Sequence, residues 1–342
     1  LRLKNILQTM NKKSRAIVLK NYPTGLPKTS DFEIIENLLP QIKEGEVLVK
    51  NLWLSVDPYM RGRMTLKKNY IEPFKIGHPL EGHCIGEIID TKSSGFKKGD
   101  IVSSMFGWRD LFLADRKNIK KIDTCGLPAQ TFLGPLGMTG LTAHIGLFEI
   151  AKLKKGETVF VSTAAGAVGS MACQFAKNIG CQVIGSTGSD QKVEWLKKDL
   201  GIDNAFNYKK CDNLVLKIKE EFANGIDVYF DNVGGEHLEA AIYRMSNFGR
   251  IVICGRISQM NTPSSVGIRN LAHVLTKRIS IQGFLVFDHL NKADLFQKDC
   301  INLIKQGKLK WKETIIEGME NAPQAFIDML NGKNLGKMLV KI

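Results

Sequence analysis

The sequence predicts an α/β protein in two parts: an all-β, partly closed barrel, and a parallel sheet covered by helices on both faces. Three observations predict it. Residues 14–130 alternate short apolar runs with Pro and Gly turn signals. From Lys155 the rhythm becomes strand, helix, strand, helix, which implies parallel βα units. Short strands return over 308–342, so the tail rejoins the first part. The expected divisions are an unstructured leader at 1–13, a barrel-like domain at 14–133 with 308–342, and an α/β domain at 134–307.

In the first part, Ala16–Leu19, Glu46–Lys50, Cys84–Ile89 and Asp100–Val102 read as strands, punctuated by Pro23, Gly25, Pro27, Gly45, Gly95 and Gly99. Residues 134–150 read as a helix with apolar Leu141, Ile145 and Phe148. Thr158–Val161 is an unbroken apolar run suited to a buried parallel strand. Val168, Met171, Ala172, Phe175, Ala176 and Ile179 then follow helical spacing, and Gly180 stops that helix. Further strands are expected at Gln182–Gly185, Ala205–Tyr208, Asp227–Asp231, Arg250–Cys254 and Ile279–Phe284. A helix should start near Ser189-Asp190 and end at Gly201.

Length and composition narrow the function classes. A chain of 342 residues is long enough for two domains. Its 44% hydrophobic and 24% charged residues exclude a disordered protein, and no apolar stretch approaches the ~18–20 residues of a membrane helix. Seven cysteines, an odd number without a CxxC pair, argue for a reducing compartment such as the cytoplasm. The net charge is +14, with Arg2, Lys4, Lys12, Lys13, Arg15 and Lys20 clustered at the start. The rest of the surplus is scattered, with no nucleic-acid-binding signature, so no nucleic-acid partner is expected. Ala16–Leu19 is too short for a signal core of ~7–15 residues, which favours a leader before a start at Met10.

The segment Ala164-Ala165-Gly166-Ala167-Val168-Gly169 joins a predicted strand to a predicted helix. It is a variant of GxGxxG with Ala at the first position. Small residues allow a tight turn and close approach to a pyrophosphate, and the helix start offers free N–H groups and a positive dipole. An NAD site places an acid ~20 residues on, for the ribose 2′-hydroxyl. Here that stretch is Gly185-Ser186-Thr187-Gly188-Ser189, with no acid, and Lys192 follows in the first turn of a helix. A cation is unfavourable there unless an anion sits beside it. The pattern favours NADP.

A metal is not expected. His78, Glu81, His83 and Cys84 lie close in sequence, but His83 and Cys84 would face opposite sides of a strand, and no earlier ligand completes a set.

Val56-Asp57-Pro58-Tyr59-Met60-Arg61, Ala164–Gly169, Phe230-Asp231-Asn232-Val233-Gly234-Gly235 and Asn334-Leu335-Gly336-Lys337, on this two-domain plan, resemble the zinc-independent medium-chain dehydrogenases/reductases. The branch is that of the prostaglandin/leukotriene, plant alkenal and bacterial curcumin reductases, and the likeness runs from about Arg15 to Ile342. It implies a chaperonin-10-like β-barrel with a Rossmann domain, and NADPH-dependent reduction of α,β-unsaturated aldehydes or ketones. A cytoplasmic homodimer is expected with it. The matching cofactor positions are Gly166, Ala167, Val168, Gly169 and Ser170 at the pyrophosphate, and Lys192 and Tyr208 at the 2′-phosphate. Toward the nicotinamide half they are Asn232, Cys254, Gly255, Ser258, Phe284, Leu285, Val286 and Asn334. Tyr59 and Tyr70 match tyrosines near the substrate. Two positions depart from the family. Met260 stands where Tyr is usual, and Arg256 where a small or apolar residue is common; that cation either shifts substrate choice toward acids or points outward.

Without a metal, a growing enolate needs hydrogen-bond donors aimed at its oxygen. The candidates are the hydroxyls of Tyr70 and Tyr59 and that of the nicotinamide ribose. Two other functions fit the same scaffold: an NADPH quinone reductase, and a non-catalytic NADPH-binding protein.

Overall fold

Alternating apolar residues build the first sheets of the computed structural model, which describes residues 12–67, 69–262 and 267–342. β1 (Lys13–Leu19) pairs antiparallel with β2 (Phe32–Leu38), Ala16 opposite Ile35, and buries Ala16 to Leu19. It starts at Lys13, inside the expected leader; residues 1–11 of that leader lie outside the described residues. β3 (Glu46–Ser55) leads to a short helix α1 (Tyr59–Arg63), then β4 (Cys84–Thr91), β5 (Ile101–Ser104), β6 (Leu111–Asp115) and β7 (Ile119–Lys121). β3 pairs antiparallel with both β4 and β6, putting Val49 beside Ile88 and Phe112 in one core with Val47 and Val102. Each such side chain contributes roughly 1.5–3 kcal/mol on burial.

The second unit spans Gly134–Thr314 and Asn334–Lys337. α2 (Met138–His144) gives way to a wider π turn over Ile145–Ile150, not the single regular helix expected over 134–150. The Ala151 N–H donates to the Gly146 carbonyl at 3.0 Å, five residues back. A Cβ on Gly146 would lie 2.5 Å from the Phe230 ring, so only glycine lets this turn pack so close to that strand. Next come β8 (Thr158–Val161), α3 (Ala167–Asn178), β9 (Gln182–Thr187), α4 (Asp190–Lys198), β10 (Asn204–Asn207), α5 (Leu214–Glu221), β11 (Ile226–Asp231) and α6 (Gly235–Arg244). β12 (Met245–Ile253), α7 (Leu271–Lys277), β13 (Ser280–Gly283) and α8 (Ala293–Lys305) complete it. The sheet is wholly parallel, in the order β10-β9-β8-β11-β12-β13. That is the Rossmann order, reversing direction between β8 and β11, where ligands of such sheets bind beyond the strand ends. Phe160 stacks on Tyr229 at 4.8 Å and meets Phe222 edge-on at 5.1 Å, anchoring the core under that switch point.

The tail returns through β14 (Glu313–Glu317), α9 (Ala322–Leu330) and β15 (Lys337–Lys341). The first unit comprises the chain up to Leu133, Ile315–Lys333 and Met338–Ile342. Its seven-stranded sheet runs β14-β15-β3-β4-β5-β7, with β6 on β3; the order is open among the described residues. The reading of 308–342 as short strands overlooked α9. Pro323 sits in that helix's first turn, where its missing N–H costs nothing. Phe326 and Met329 of α9 join Ile17, Leu54, Met60, Trp108 and Met338 in a second core.

Candidate functional site

The turn after β8 is as tight as its small residues suggest. Thr163 adopts φ +49°, the Ala164 N–H donates to the Ser186 carbonyl at 2.9 Å, and the Gly166 N–H to the Thr163 carbonyl at 2.9 Å. A Cβ on Gly169 would lie 2.3 Å from the Thr163 oxygen, so only glycine lets α3 approach the strand this closely. Gly166 is the N-cap and no side chain caps α3. Its first intrahelical bond is from Ser170 N–H to the Gly166 carbonyl, 2.9 Å. The N-terminus presented by Ala167, Val168 and Gly169 is therefore uncapped by side chains and carries the positive end of a twelve-residue helix.

At the end of β9, Gly188 faces two groups from the segment after β10. A Cβ on it would lie 3.5 Å from the Tyr208 hydroxyl and 3.6 Å from the Lys209 Nζ. Lys192 is half-buried nearby. Burial, and then the Lys209 charge, hold its ammonium below the usual lysine range. Burial also raises the Tyr208 phenol. Asp190, the acid nearest in sequence, is occupied elsewhere: it accepts from Asn207 Nδ2 at 2.9 Å and pairs with Lys210 at 2.5 Å. Two cations and a phenol thus gather where an NAD-type acid would stand. Lys209 was not foreseen. Its signal was a run of basic residues one strand further on, which brings it beside Gly188 because β10 and β9 are parallel neighbours.

Across the switch point, Asn232 ties the ends of β8 and β11 together. Its N–H donates to Ser162 Oγ at 3.0 Å and its Nδ2 to the Ser162 carbonyl at 2.7 Å. Beneath it Asp231 is fully buried. Its Oδ1 accepts from the Tyr229 hydroxyl (2.7 Å) and from the N–H groups of Val233 (2.9 Å) and Gly234 (2.8 Å). These bonds hold the turn in which Gly234 and Gly235 adopt φ +72° and +53°. The stretch after β12 lies over this turn. The Cys254 and Gly255 N–H groups donate to the Asp231 carbonyl at 2.9 and 3.0 Å, and Ser258 Oγ to the Val233 carbonyl at 2.6 Å. Burial pushes the Cys254 thiol up to about 12, with Asp231 adding to the effect.

Phe284, Leu285 and Val286 follow β13; Phe284 faces Gly146, and Val286 is buried. Asn334 Nδ2 donates to the Gly336 carbonyl at 2.7 Å, and the Gly336 N–H to the Ala165 carbonyl at 2.8 Å, so Asn334 is bound next to the βα turn. The candidate cofactor residues thus all fall in the second unit, along the carboxyl edge of its sheet.

Tyr59 and Tyr70 belong to the first unit. The Tyr59 hydroxyl is buried and, among the described residues, has no hydrogen-bond partner; burial, and then Asp57, raise its pKa. Tyr70 is 51% exposed. Arg63 secures the segment that carries both. It donates to the Glu72 carbonyl at 2.8 Å and to Glu81 at 2.7 Å, and lies 4.0 Å above the Phe74 ring. Glu81 is thus engaged, and the buried Cys84 sulfur lies 3.1 Å from Ser104 Oγ, its thiol pushed up to about 11 by burial. Among the described residues no group of three or more His, Cys, Asp or Glu side chains could hold a metal ion. This donor set does not fit zinc.

The fold and the βα turn define a two-domain dinucleotide-binding protein. Comparison with known proteins gives the particular family. Residues 15–122 match the family model described as the N-terminal domain of oxidoreductase, and 167–306 the model described as zinc-binding dehydrogenase. The chain is 43% identical to the NADP(+)-dependent 2-alkenal reductase of Nicotiana tabacum over 335 residues, 96% of this chain and 97% of that one. It is 42% identical to prostaglandin reductase 1 of Bos taurus, covering 96% and 99%. Among solved structures, CurA of Vibrio vulnificus in complex with NADPH superposes with a TM-score of 0.91 at 36% identity, covering 96% and 98%. The chain belongs to the zinc-independent medium-chain dehydrogenases/reductases, in the prostaglandin reductase branch. It is an NADP-dependent oxidoreductase.

Proposed function

We propose that this chain reduces the carbon–carbon double bond of α,β-unsaturated aldehydes and ketones. The observation that carries this reading is its 43% identity, over nearly the whole of both chains, to a 2-alkenal reductase. The residues present fit NADP: the uncapped α3 N-terminus with Gly166–Ser170 would take the pyrophosphate, and Lys192, Lys209 and Tyr208 the 2′-phosphate. Asn232, Cys254, Gly255, Ser258, Phe284–Val286 and Asn334 would hold the nicotinamide half. Once bound, the cofactor supplies the hydride that adds to the β-carbon.

The protein's part is orientation and charge stabilisation. Negative charge develops on the substrate carbonyl oxygen, and a tyrosine hydroxyl donating to it lowers the barrier. Tyr70 and Tyr59 are assigned this role, and the α-carbon then takes its proton from tyrosine or solvent. The test is NADPH consumption with a panel of 2-alkenals, enones, the matching saturated aldehydes, and quinones. Rapid turnover of alkenals and enones with identified saturated products supports the reading; turnover of quinones alone replaces it.

A homodimer and a cytoplasmic setting belong to the same proposal. β13 is an edge strand with all four residues exposed, and Leu275, Ile281 and Leu290 are exposed around it. Such an edge invites pairing with a second copy. Light scattering should give twice the chain mass, reduced by Ile281→Lys. Seven free cysteines accord with a reducing compartment. No helix among the described residues is long and apolar enough to cross a membrane.

A further inference from the structure

Tyr208 opens the turn that follows β10, and its hydroxyl faces Gly188, 3.5 Å from where a Cβ on that glycine would be. Its backbone is set locally. The Asn207 side chain accepts from the Lys209 N–H at 3.1 Å, and the Cys211 N–H donates to the Tyr208 carbonyl at 3.3 Å. Neither bond fixes the plane of the ring. Among the described residues the Tyr208 hydroxyl makes no hydrogen bond that would do so. The ring is oriented by packing alone.

The packing partner is His237, the third residue of α6, which is 5% exposed and meets the Tyr208 ring edge-on, an arrangement that aromatic pairs favour. The imidazole is itself held in place. Asp231 Oδ1 accepts from the Val233 and Gly234 N–H groups, and Gly234 is the N-cap of α6. Leu238 and Ile242 of the same helix pack with Phe206, Ile218 and Tyr229 in one core. A side chain chosen only to fill this space would be apolar, because the His237 Nε2 is buried with no hydrogen-bond partner among the described residues. A leucine or methionine would avoid that unmade bond. What either lacks is a flat ring to set the plane of its neighbour.

We propose that His237 is a positioning residue for cofactor selectivity: its ring fixes the plane of Tyr208, so that the phenol stays turned toward Gly188, where the 2′-phosphate is read. His237 lies outside the positions that match the family's cofactor contacts, and its effect passes through Tyr208. A phenol free to turn would have to be ordered on binding, at a cost to affinity. The inference rests on the assignment of Tyr208 to the 2′-phosphate. Fluorescence titrations with NADPH and NADH read it as the ratio of the two dissociation constants, and calorimetry with 2′,5′-ADP reads the phosphate without the nicotinamide. His237→Ala should weaken NADPH and 2′,5′-ADP about fivefold, the scale of one aromatic pair, with NADH nearly unchanged. His237→Leu, which keeps bulk without a ring, should show the same loss, and His237→Phe should restore most of the parent affinity. The comparison of Leu with Phe carries the test if the alanine variant does not fold. In a Tyr208→Ala background the His237 substitutions should have no further effect. Equal weakening of NADPH and NADH, an unchanged ratio in His237→Leu, a loss that His237→Phe fails to restore, or a loss that persists without the Tyr208 ring overturns the inference. In each of these cases the assignment of Tyr208 still stands if Tyr208→Ala alone narrows the ratio. If Tyr208→Ala leaves the ratio intact, the assignment falls and the inference with it.

Discussion

The His237 imidazole stands edge-on to the Tyr208 ring, with centroids 4.7 Å apart and planes at 83°. His237 is buried on α6, its Nε2 has no hydrogen-bond partner among the described residues, and burial holds its pKa down at about 4. The ring under the candidate 2′-phosphate group is therefore neutral at pH 7.

A pH dependence follows. The unfolded imidazole takes up a proton near pH 6.5, the folded one only near pH 4. Between those values the unfolded state binds more protons, so stability falls as pH falls from about 6.5 toward 4. The loss is on the order of 3 kcal/mol when complete. His237→Gln, neutral throughout, should flatten the decline of melting temperature over that window. An equally steep decline in the variant would place the acid sensitivity elsewhere.

Cofactor preference should reside in Lys192 and Lys209. NADPH should bind at least ~10-fold tighter than NADH, about 1.4 kcal/mol. Lys192→Ala should remove much of that margin with NADH affinity nearly unchanged, and Lys209→Ala should add to the effect. Equal losses for both cofactors would mean that the lysines only support the fold.

Gly169→Ala should cripple the cofactor turn. The new methyl would lie 2.3 Å from the Thr163 oxygen, a backbone atom that cannot rotate away. Overpacking of this kind costs ~1–3 kcal/mol, and displacement of α3 should weaken NADPH binding beyond that. Calorimetric melting and cofactor titration on one sample would show both effects.

Tyr70→Phe should lower kcat by roughly 10–100-fold with NADPH affinity unmoved, less than the ~10²–10³ of a sole oxyanion donor. Tyr59→Phe should cost less in rate. It should also leave stability unchanged or slightly improved, because the hydroxyl it removes is buried without a partner. Full activity of Tyr70→Phe on several enones would remove Tyr70 from the chemistry.

Dialysis against a strong chelator should leave activity and melting temperature unchanged, since Glu81 and Cys84 are committed to Arg63 and Ser104. Activity restored only by added zinc would contradict this.

What could be read from the sequence was local. Thr158–Gly180 carries strand, turn and helix in one continuous stretch, whereas the pairing of Asp190 with Lys210 shows only in the fold. Lys209 escaped because its place beside Gly188 is set by strand pairing across about twenty residues. α9 escaped because 308–342 was read as a run of short strands throughout, although Pro323 is at home in a helix's first turn. The π turn at Ile145–Ile150 leaves no periodicity to read, and the close approach of Phe230 from a distant strand to Gly146 cannot be seen in the local sequence.

The position of β15 has a consequence for biosynthesis. This strand lies between β14 and β3, and its Met338 and Val340 complete a core begun by Ile17 and Leu19. A nascent chain emerging from the ribosome can gather the parallel sheet of the second unit while the first unit still lacks an interior strand. The part translated first is thus the last to close. Until Val340 is free of the exit tunnel, the Trp53–Ser55 stretch of β3, beyond the part that β6 covers, stays open to aggregation and to chaperones that shield unpaired strands.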